Sequence, residues 1–311
     1  MKVSETPDRT PEGPRLAHFS DIHVHLARYS FSLGDLLSKR LAGWANLRLA
    51  GRGWRFRHGE KVLRAFTQDL AESSPDHLVF SGDAGCLGNG PEFDLARKRL
   101  GDLLKRPGMA VPGNHDHLIQ KAVDTREFEN RFAPWQEGTR NDTGALYPFA
   151  QRVGGWWFIA VNSSSPTRFP WDAKGRVGAG QLGRLERLLD SLDDSPRLLV
   201  THYPALLKDG SPEWRSRRLL DLDQLVRVAE KGKVRAWLHG HRHNAYHLPP
   251  APGRPFALIC AGSVTQTRHW TYGSYVLSTD RIRGERRRYN PGSERFESVE
   301  RFEIPLLQAV S

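Results

Sequence analysis

An α/β fold is predicted by three features of this 311-residue sequence. Short apolar runs alternate with stretches of helical periodicity through the first half of the chain. Each of those runs stops at a cluster of carboxylate, imidazole or amide side chains. The length suffices for one large buried core or two small ones.

Residues 1–14 carry Lys2, Glu5, Asp8, Glu12 and three prolines, bury nothing, and are expected to form a disordered leader without the apolar region of a signal peptide. From Arg15, the run Leu16–Ser20 reads as a first strand that delivers Asp21-Ile22-His23. Residues two apart on an extended chain share a face, so Asp21 and His23 can grip one ion between them. His25 follows in the same phase and is placed behind the ligands or on the substrate side. A helix over Lys61–Ser73 is stopped by Pro75, and strand His77–Ser81 ends in Gly82-Asp83. Helix Pro91–Leu104 leads to strand Met109–Val111, which opens into Gly113-Asn114-His115-Asp116. Open α/β sheets place their sites at such carboxyl ends.

The middle of the chain is richer in strands. Ala150–Val153 and Trp156–Val161 are joined by the Gly154-Gly155 turn, and a helix over Leu182–Leu192 precedes the buried strand Arg197–Thr201, which ends at His202. Helix Leu219–Lys231 precedes strand Val234–Leu238, which ends in His239-Gly240-His241-Arg242-His243. Phe256–Cys260, Tyr272–Ser278 and the charged alternation beyond Ile282 are expected to form a second sheet region closing the domain. Arg286 to Arg288 read as a solvated edge. Without an internal repeat or a long linker, residues 15–311 are expected to form a single domain.

Residues 30–57 stand apart as a basic insertion. Leu33, Leu36, Leu37, Leu41, Trp44 and Leu47 recur at helical spacing, while Lys39, Arg40, Arg48, Arg52, Arg55 and Arg57 face one acid, Asp35. Two readings stay open: an amphipathic helix packed on the domain, or a basic element that lies on an anionic membrane or covers a lipid-like phosphate substrate. Because it leaves directly from the Asp21/His23 loop, it is expected to overhang the cleft.

Lys and Arg number 46 against 35 Asp and Glu, a formal charge of +11 that favours anionic partners. Two cysteines, Cys86 and Cys260, make no disulfide framework and suit a reducing cytoplasm, the expected location, peripheral to the membrane if the insertion binds it. No apolar stretch approaches a membrane span.

Asp21, His23, Asp83, Asn114, His202, His241 and His243 thus stand at five strand ends. The absence of a thiolate argues against a structural zinc knuckle, and nitrogen and oxygen ligands suit manganese, iron, cobalt or catalytic zinc. The series Asp-x-His, Gly-Asp, Gly-Asn-His-Asp, His and Gly-His-x-His resembles the calcineurin-like metallophosphoesterase superfamily from about Leu16 to Thr265. That resemblance implies a four-layer α/β/β/α sandwich of two mixed sheets with a dinuclear metal centre at their edge. It implies one divalent ion on Asp21, His23 and His243, a second on Asn114, His202 and His241, and Asp83 bridging them. Two such ions, roughly 3.5–4 Å apart, would generate hydroxide for in-line attack on phosphorus. A protonated His115 would be the catalytic residue beside the scissile phosphate, worth about 10²–10⁴ in rate.

One departure bears on that role. Many members read Gly-Asp-x-x-Asp, the second Asp orienting the catalytic imidazole, whereas this chain reads Gly82-Asp83-Ala84-Gly85-Cys86. Asp116 remains the candidate substitute. Cys86 is also not the tyrosine of purple acid phosphatases, which disfavours that branch. Arg242, pointing away from its histidine neighbours on an extended chain, is not assigned to substrate.

The expected activity is hydrolysis of a phosphodiester or pyrophosphate bond in a phosphorylated small molecule. The motifs are similar to bacterial cyclic-nucleotide and glycerophosphodiester hydrolases. They also resemble pyrophosphatases that cleave UDP-diacylglucosamine, one group of which carries a basic early insertion, so a lipid-linked substrate at the membrane surface is the first alternative. A DNA nuclease suits the net charge, though no nucleic-acid module is present. An inactive metal-binding scaffold is the last alternative, opposed by the presence of all seven ligands.

Overall fold

The computed structural model describes residues 13–36, 38–142 and 144–307, so the expected leader lies outside the described residues as far as residue 12. Pro14, its last residue, is buried, and its carbonyl accepts a hydrogen bond from the Leu277 amide at 3.1 Å.

Strands follow the apolar runs. They are β1 (Arg15–Phe19), β2 (His77–Phe80), β3 (Gly108–Ala110), β4 (Phe149–Val153), β5 (Trp156–Ala160), β6 (Arg197–Val200), β7 (Val234–His239), β8 (Tyr246–Leu248), β9 (Ala257–Cys260), β10 (Thr271–Leu277), β11 (Arg281–Asn290) and β12 (Arg295–Pro305). One sheet runs β12-β11-β10-β1-β2-β3 and the other β4-β5-β6-β7-β9-β8, each with parallel and antiparallel pairs. The helices are α1 (Leu33–Leu36), α2 (Lys39–Arg48), α3 (Gly59–Ser73), α4 (Gly90–Leu100), α5 (Gln120–Asp124), α6 (Glu127–Arg131), α7 (Ala179–Ser191) and α8 (Leu222–Lys231).

Successive side chains of a strand point to opposite faces, and in β2, β3, β6 and β9 both faces are buried. Leu16, Val79 and Met109 meet Phe158, Leu198, Leu238 and Ile259 between the sheets. Ala17, Phe19, Leu78 and Phe80 turn outward to pack with Phe66 of α3 and Phe93 of α4. Ile159, Leu199 and Trp237 do the same under Leu185 of α7 and Leu225 of α8. The result is the four-layer α/β/β/α sandwich, with continuous apolar runs where a one-sided sheet would alternate.

Two expectations about the C-terminal third are corrected. Of the strands expected to form the second sheet region, β9 alone joins the second sheet, while β10, β11 and β12 return to the first through antiparallel pairing of β10 with β1. Alternation defines which face of a strand is polar but not which strand it pairs with, and β1 had a free edge to fill. Arg287 is likewise no edge residue: β11 lies inside the sheet, and the guanidinium holds both oxygens of Asp69 at 2.6 and 2.7 Å. Periodicity also gave no sign of α5, α6 and β8, each too short to establish a pattern.

The insertion is broken into pieces. Ser38 caps α2 by accepting from the Arg40 amide at 3.1 Å, and Gly51, at φ 74°, turns the chain into a 3₁₀ segment, Arg52–Phe56. Leu47 is buried against Cys86, Leu87 and Leu118 with Trp44 packed beside them, so part of the apolar stripe lies on the domain. The guanidinium of Arg40, buried, donates to the Leu87 carbonyl at 3.1 Å and to Asp35 at 3.0 Å. Leu33, Leu49 and Trp54 remain exposed. Among the described residues no helix is long and apolar enough to cross a membrane.

Phe66 is fully buried, 5.0 Å from the ring of Phe19 and 5.2 Å from that of Tyr272. Phe66→Ala is expected to cost about 3–5 kcal/mol, read from the denaturant midpoint at unchanged slope.

Candidate metal centre

The loops that follow β1 and β2 continue to pair after the strands end: the Asp21 amide donates to the Gly82 carbonyl at 2.9 Å and the His23 amide to the Asp83 carbonyl at 3.0 Å. They do so without staying extended. Asp21, His23, Asp83, His241 and His243 have φ of 54°, 41°, 61°, 70° and 59°, a region that non-glycine residues seldom occupy. The expectation that Asp21 and His23 meet by lying on one face of an extended chain is therefore corrected, since left-handed turns converge them. Such conformations persist where the surroundings over-determine them.

Asp116 supplies much of that determination. Its buried carboxylate accepts from the backbone amides of Asp83 at 2.7 Å, Ala84 at 2.9 Å, Gly85 at 3.3 Å and Gly113 at 2.8 Å. Gly82, at φ 97°, allows the close approach: a Cβ there would lie 2.5 Å from the Gly113 nitrogen. Asp116 is thus a strap between the β2 and β3 loops and makes no bond to the His115 ring.

All seven residues singled out in the sequence come together, in two sets joined by one carboxylate. Asp21, His23, Asp83 and His243 each bring a ligand atom within 4.8 Å of the others. Asn114 Oδ1 lies 3.2 Å from His202 Nε2 and 2.9 Å from His241 Nδ1. Asp83 Oδ2 sits between the sets, 3.6 Å from His23 Nε2 and 3.5 Å from His202 Nε2. His25 stays outside, lining a separate small cavity with Phe56 and Arg57.

The donor set fits cations. Nδ1 of His23, His202 and His243 faces, respectively, the Gly85 carbonyl at 3.2 Å, the Ser81 carbonyl at 2.7 Å and the Gln266 side-chain oxygen. A histidine that donates Nδ1–H to oxygen offers its Nε2 lone pair, the arrangement metal ligands adopt. In that tautomer the Nε2 atoms of His23 and His243, 3.1 Å apart, both present lone pairs. Asp21 Oδ1 has no hydrogen-bond donor although His243 Nε2 is 3.0 Å away. Lone pairs aimed at one another in a buried site are relieved by a cation. Burial raises the carboxyls of Asp21 and Asp83, but the neighbouring histidines outweigh it and hold both below the ordinary range. Burial likewise lowers His202, yet the Asp83 and Asp21 charges lift it to about 9, a proton that ligation would displace.

His115 departs from its expected state. Its Nδ1 lies 2.8 Å from the Cys86 carbonyl, which takes the place of the absent orienting carboxylate. Its Nε2 lies 2.7 Å from the Arg52 guanidinium. A guanidinium only donates, so Nε2 accepts, Nδ1 carries the hydrogen and the ring is neutral. Burial first, then the charge of Arg52, lowers its pKa well below the usual value. The protonated His115 predicted from the sequence is therefore not the resting form.

A cavity of about 640 Å³ opens over Asp83, Asn114, His115, His241 and His243, and its wall includes Lys39, Arg52, Arg55, Arg217 and Arg242. Arg242 does line the cleft, contrary to the outward orientation expected of an extended chain, but it is paired with the buried carboxylate of Glu213 at 3.1 Å. Arg52 is the functional candidate that sequence reasoning passed over, counted there only as polar surface of the insertion. Its position immediately after the Gly51 turn was the available signal.

The calcineurin-like phosphoesterase family model matches residues 14–245. The chain belongs to that family. Among curated members it is 29% identical over 183 residues to a probable cyclic nucleotide phosphodiesterase of Synechococcus, and 30% identical over 132 residues to a glycerophosphodiester phosphodiesterase of Enterobacter lignolyticus. These matches cover 57% and 42% of this chain, and 62% and 43% of the relatives, so the chain spans less than two thirds of the length of the curated proteins it matches. A dimetal phosphatase from Danio rerio shares the fold with a TM-score of 0.64 at 13% identity, covering 95% of this chain and all of that one. The purple acid phosphatase of yellow lupin does so at 0.59 and 15%, covering 94% of this chain and 54% of its own. Both likenesses concern the fold.

Asp116→Ala strands four buried amides, each costing about 1–3 kcal/mol when unsatisfied, although such losses do not add. A large drop in urea midpoint together with loss of bound metal is expected from chemical unfolding and elemental analysis. An effect under about 1 kcal/mol would remove the carboxylate from that role.

Proposed function

We propose that the protein is a metal-dependent phosphoester hydrolase that cleaves a phosphodiester or pyrophosphate bond in a small phosphorylated substrate, using two divalent ions. The observation that carries this reading is the position of Asp83 Oδ2, nearly equidistant from His23 and His202 and hence shared by two three-residue sets. Asp21, His23 and His243 would hold one ion, Asn114, His202 and His241 the other, and Asp83 both. Nitrogen and oxygen donors of this kind suit manganese, iron or zinc.

Ions held by these residues would supply positive charge toward phosphate oxygens and lower the pKa of water. The remaining work falls to the chain. Asp83 keeps its bridging orientation because its other oxygen accepts from the His115 amide at 2.8 Å. Carbonyl and amide oxygens behind His23, His202 and His243 fix their rings with Nε2 inward. His115, neutral, acts by holding the Arg52 guanidinium beside the ligand cluster and not as a ready proton donor.

The cavity volume lies within the range that accepts a small organic ligand. Its cationic wall suits an anionic substrate, and the names of the two curated relatives favour a diester over a monoester.

Protein stripped of metal and reloaded with manganese should hydrolyse bis-p-nitrophenyl phosphate faster than p-nitrophenyl phosphate, and chelation should abolish both reactions. Asp83→Asn should bind fewer than two ions per chain and lower diester turnover by about 10²–10³-fold, the range seen when charge stabilisation of a transition state is removed. Full activity in that variant, or a marked preference for the monoester, would refute this reading.

A further inference from the structure

Building on the reading of the site as a phosphoester hydrolase, we infer that Arg52 is a substrate-binding residue whose guanidinium grips the scissile phosphate at the His115 end of the cleft. The insertion would then be part of the active site.

The first reason is an uncompensated charge. Arg52 is partly buried and lines the cavity, yet among the described residues its side chain makes one hydrogen bond, to the neutral ring of His115, and no ion pair. Five N–H groups in a rigid fork are thus left with one acceptor. Withdrawing a cation from water is costly unless an anion meets it. A phosphate carries two oxygens at the spacing the fork matches.

Its neighbours on the cavity wall do not stand in the same position. Lys39 is engaged by Thr167 Oγ1 at 2.6 Å and the Asp172 carbonyl at 2.5 Å, and Arg242 by Glu213 at 3.1 Å. Arg55 and Arg217 are exposed. Arg52 alone of these five bonds to a side chain next in sequence to one of the proposed ligands, Asn114.

The second reason is the way it is held. The 3₁₀ segment Arg52–Phe56 buries Phe56 against His23, ring centroids 4.8 Å apart, and the Arg55 carbonyl accepts from the Thr267 amide at 2.6 Å. On the other side, Arg40 fastens α2 to the Leu87 carbonyl. A long side chain anchored at both flanks loses less freedom on meeting its ligand. A merely solvating arginine has no need of such support.

The test uses the full chain loaded with manganese and compares the wild type with Arg52→Gln and Arg52→Lys. Glutamine can still donate to His115 but carries no charge, so it separates support of the imidazole from binding of phosphate. Binding of inorganic phosphate, measured by calorimetry, should weaken at least tenfold in Arg52→Gln and recover in part in Arg52→Lys. KM for bis-p-nitrophenyl phosphate should rise by a similar factor, with metal content and unfolding midpoint unchanged. Phosphate affinity within twofold of wild type in Arg52→Gln would overturn the inference, even if turnover had fallen. Loss of phosphate binding in that variant, with a wild type inert toward the diester, would uphold Arg52 and refute the activity instead.

Discussion

The loops that leave β2 and β3 at the carboxyl edge are held together by the Asp116 carboxyl group and the four amides it satisfies. Loops leaving neighbouring parallel strands normally diverge, because their backbone groups seek water once the ladder ends. Here β2 and β3 release chains that stay in contact, with Gly82 against Gly113 and one buried carboxyl group collecting the donors of both. Asp83 lies within that seam. Its amide bonds to Asp116, its carbonyl to His23 and one side-chain oxygen to the His115 amide, so the remaining oxygen points where two groups of histidines meet. Loosening the strap would free Asp83 itself.

The electrostatics of the site are local. Buried carboxylates and imidazole nitrogens are brought to separations of 3.0 to 3.6 Å, an arrangement that cations would stabilise. Outside this anionic pocket the wall changes sign, with Lys39, Arg52, Arg55, Arg217 and Arg242 around the cavity. A net charge of +11 favours anions in general, and these five side chains concentrate positive charge around one cavity. The insertion contributes to that rim while its Leu47 and Trp44 pack on the domain, so its basic character and its apolar stripe serve different contacts.

The fold was largely legible because the apolar runs are long enough to show that the central strands are covered on both faces. Strand boundaries fell within a residue or two of expectation from β1 to β7. The site was legible for a related reason: a run of buried residues ends where the chain reaches the sheet edge, and polar side chains there have few places to point except the cleft. Pairing of β10 with β1, by contrast, depends on an edge left open more than 250 residues earlier. The alternation of β11 and β12 carries no trace of it.

The sequence by itself determined the chemistry of the donors and their order along the chain, since carboxylate, amide and imidazole groups are properties of residues and their strand-end positions follow from hydrophobic pattern. Only the tertiary structure decided how those donors converge. Left-handed turns at Asp21, His23, Asp83, His241 and His243, the Cys86 carbonyl in place of a side-chain carboxylate, and the Arg52 guanidinium on a histidine 63 residues away arise from contacts between distant segments. Local propensity disfavours such turns, and a backbone carbonyl leaves no mark on residue identity. These features exist because packing around them leaves the chain no cheaper alternative.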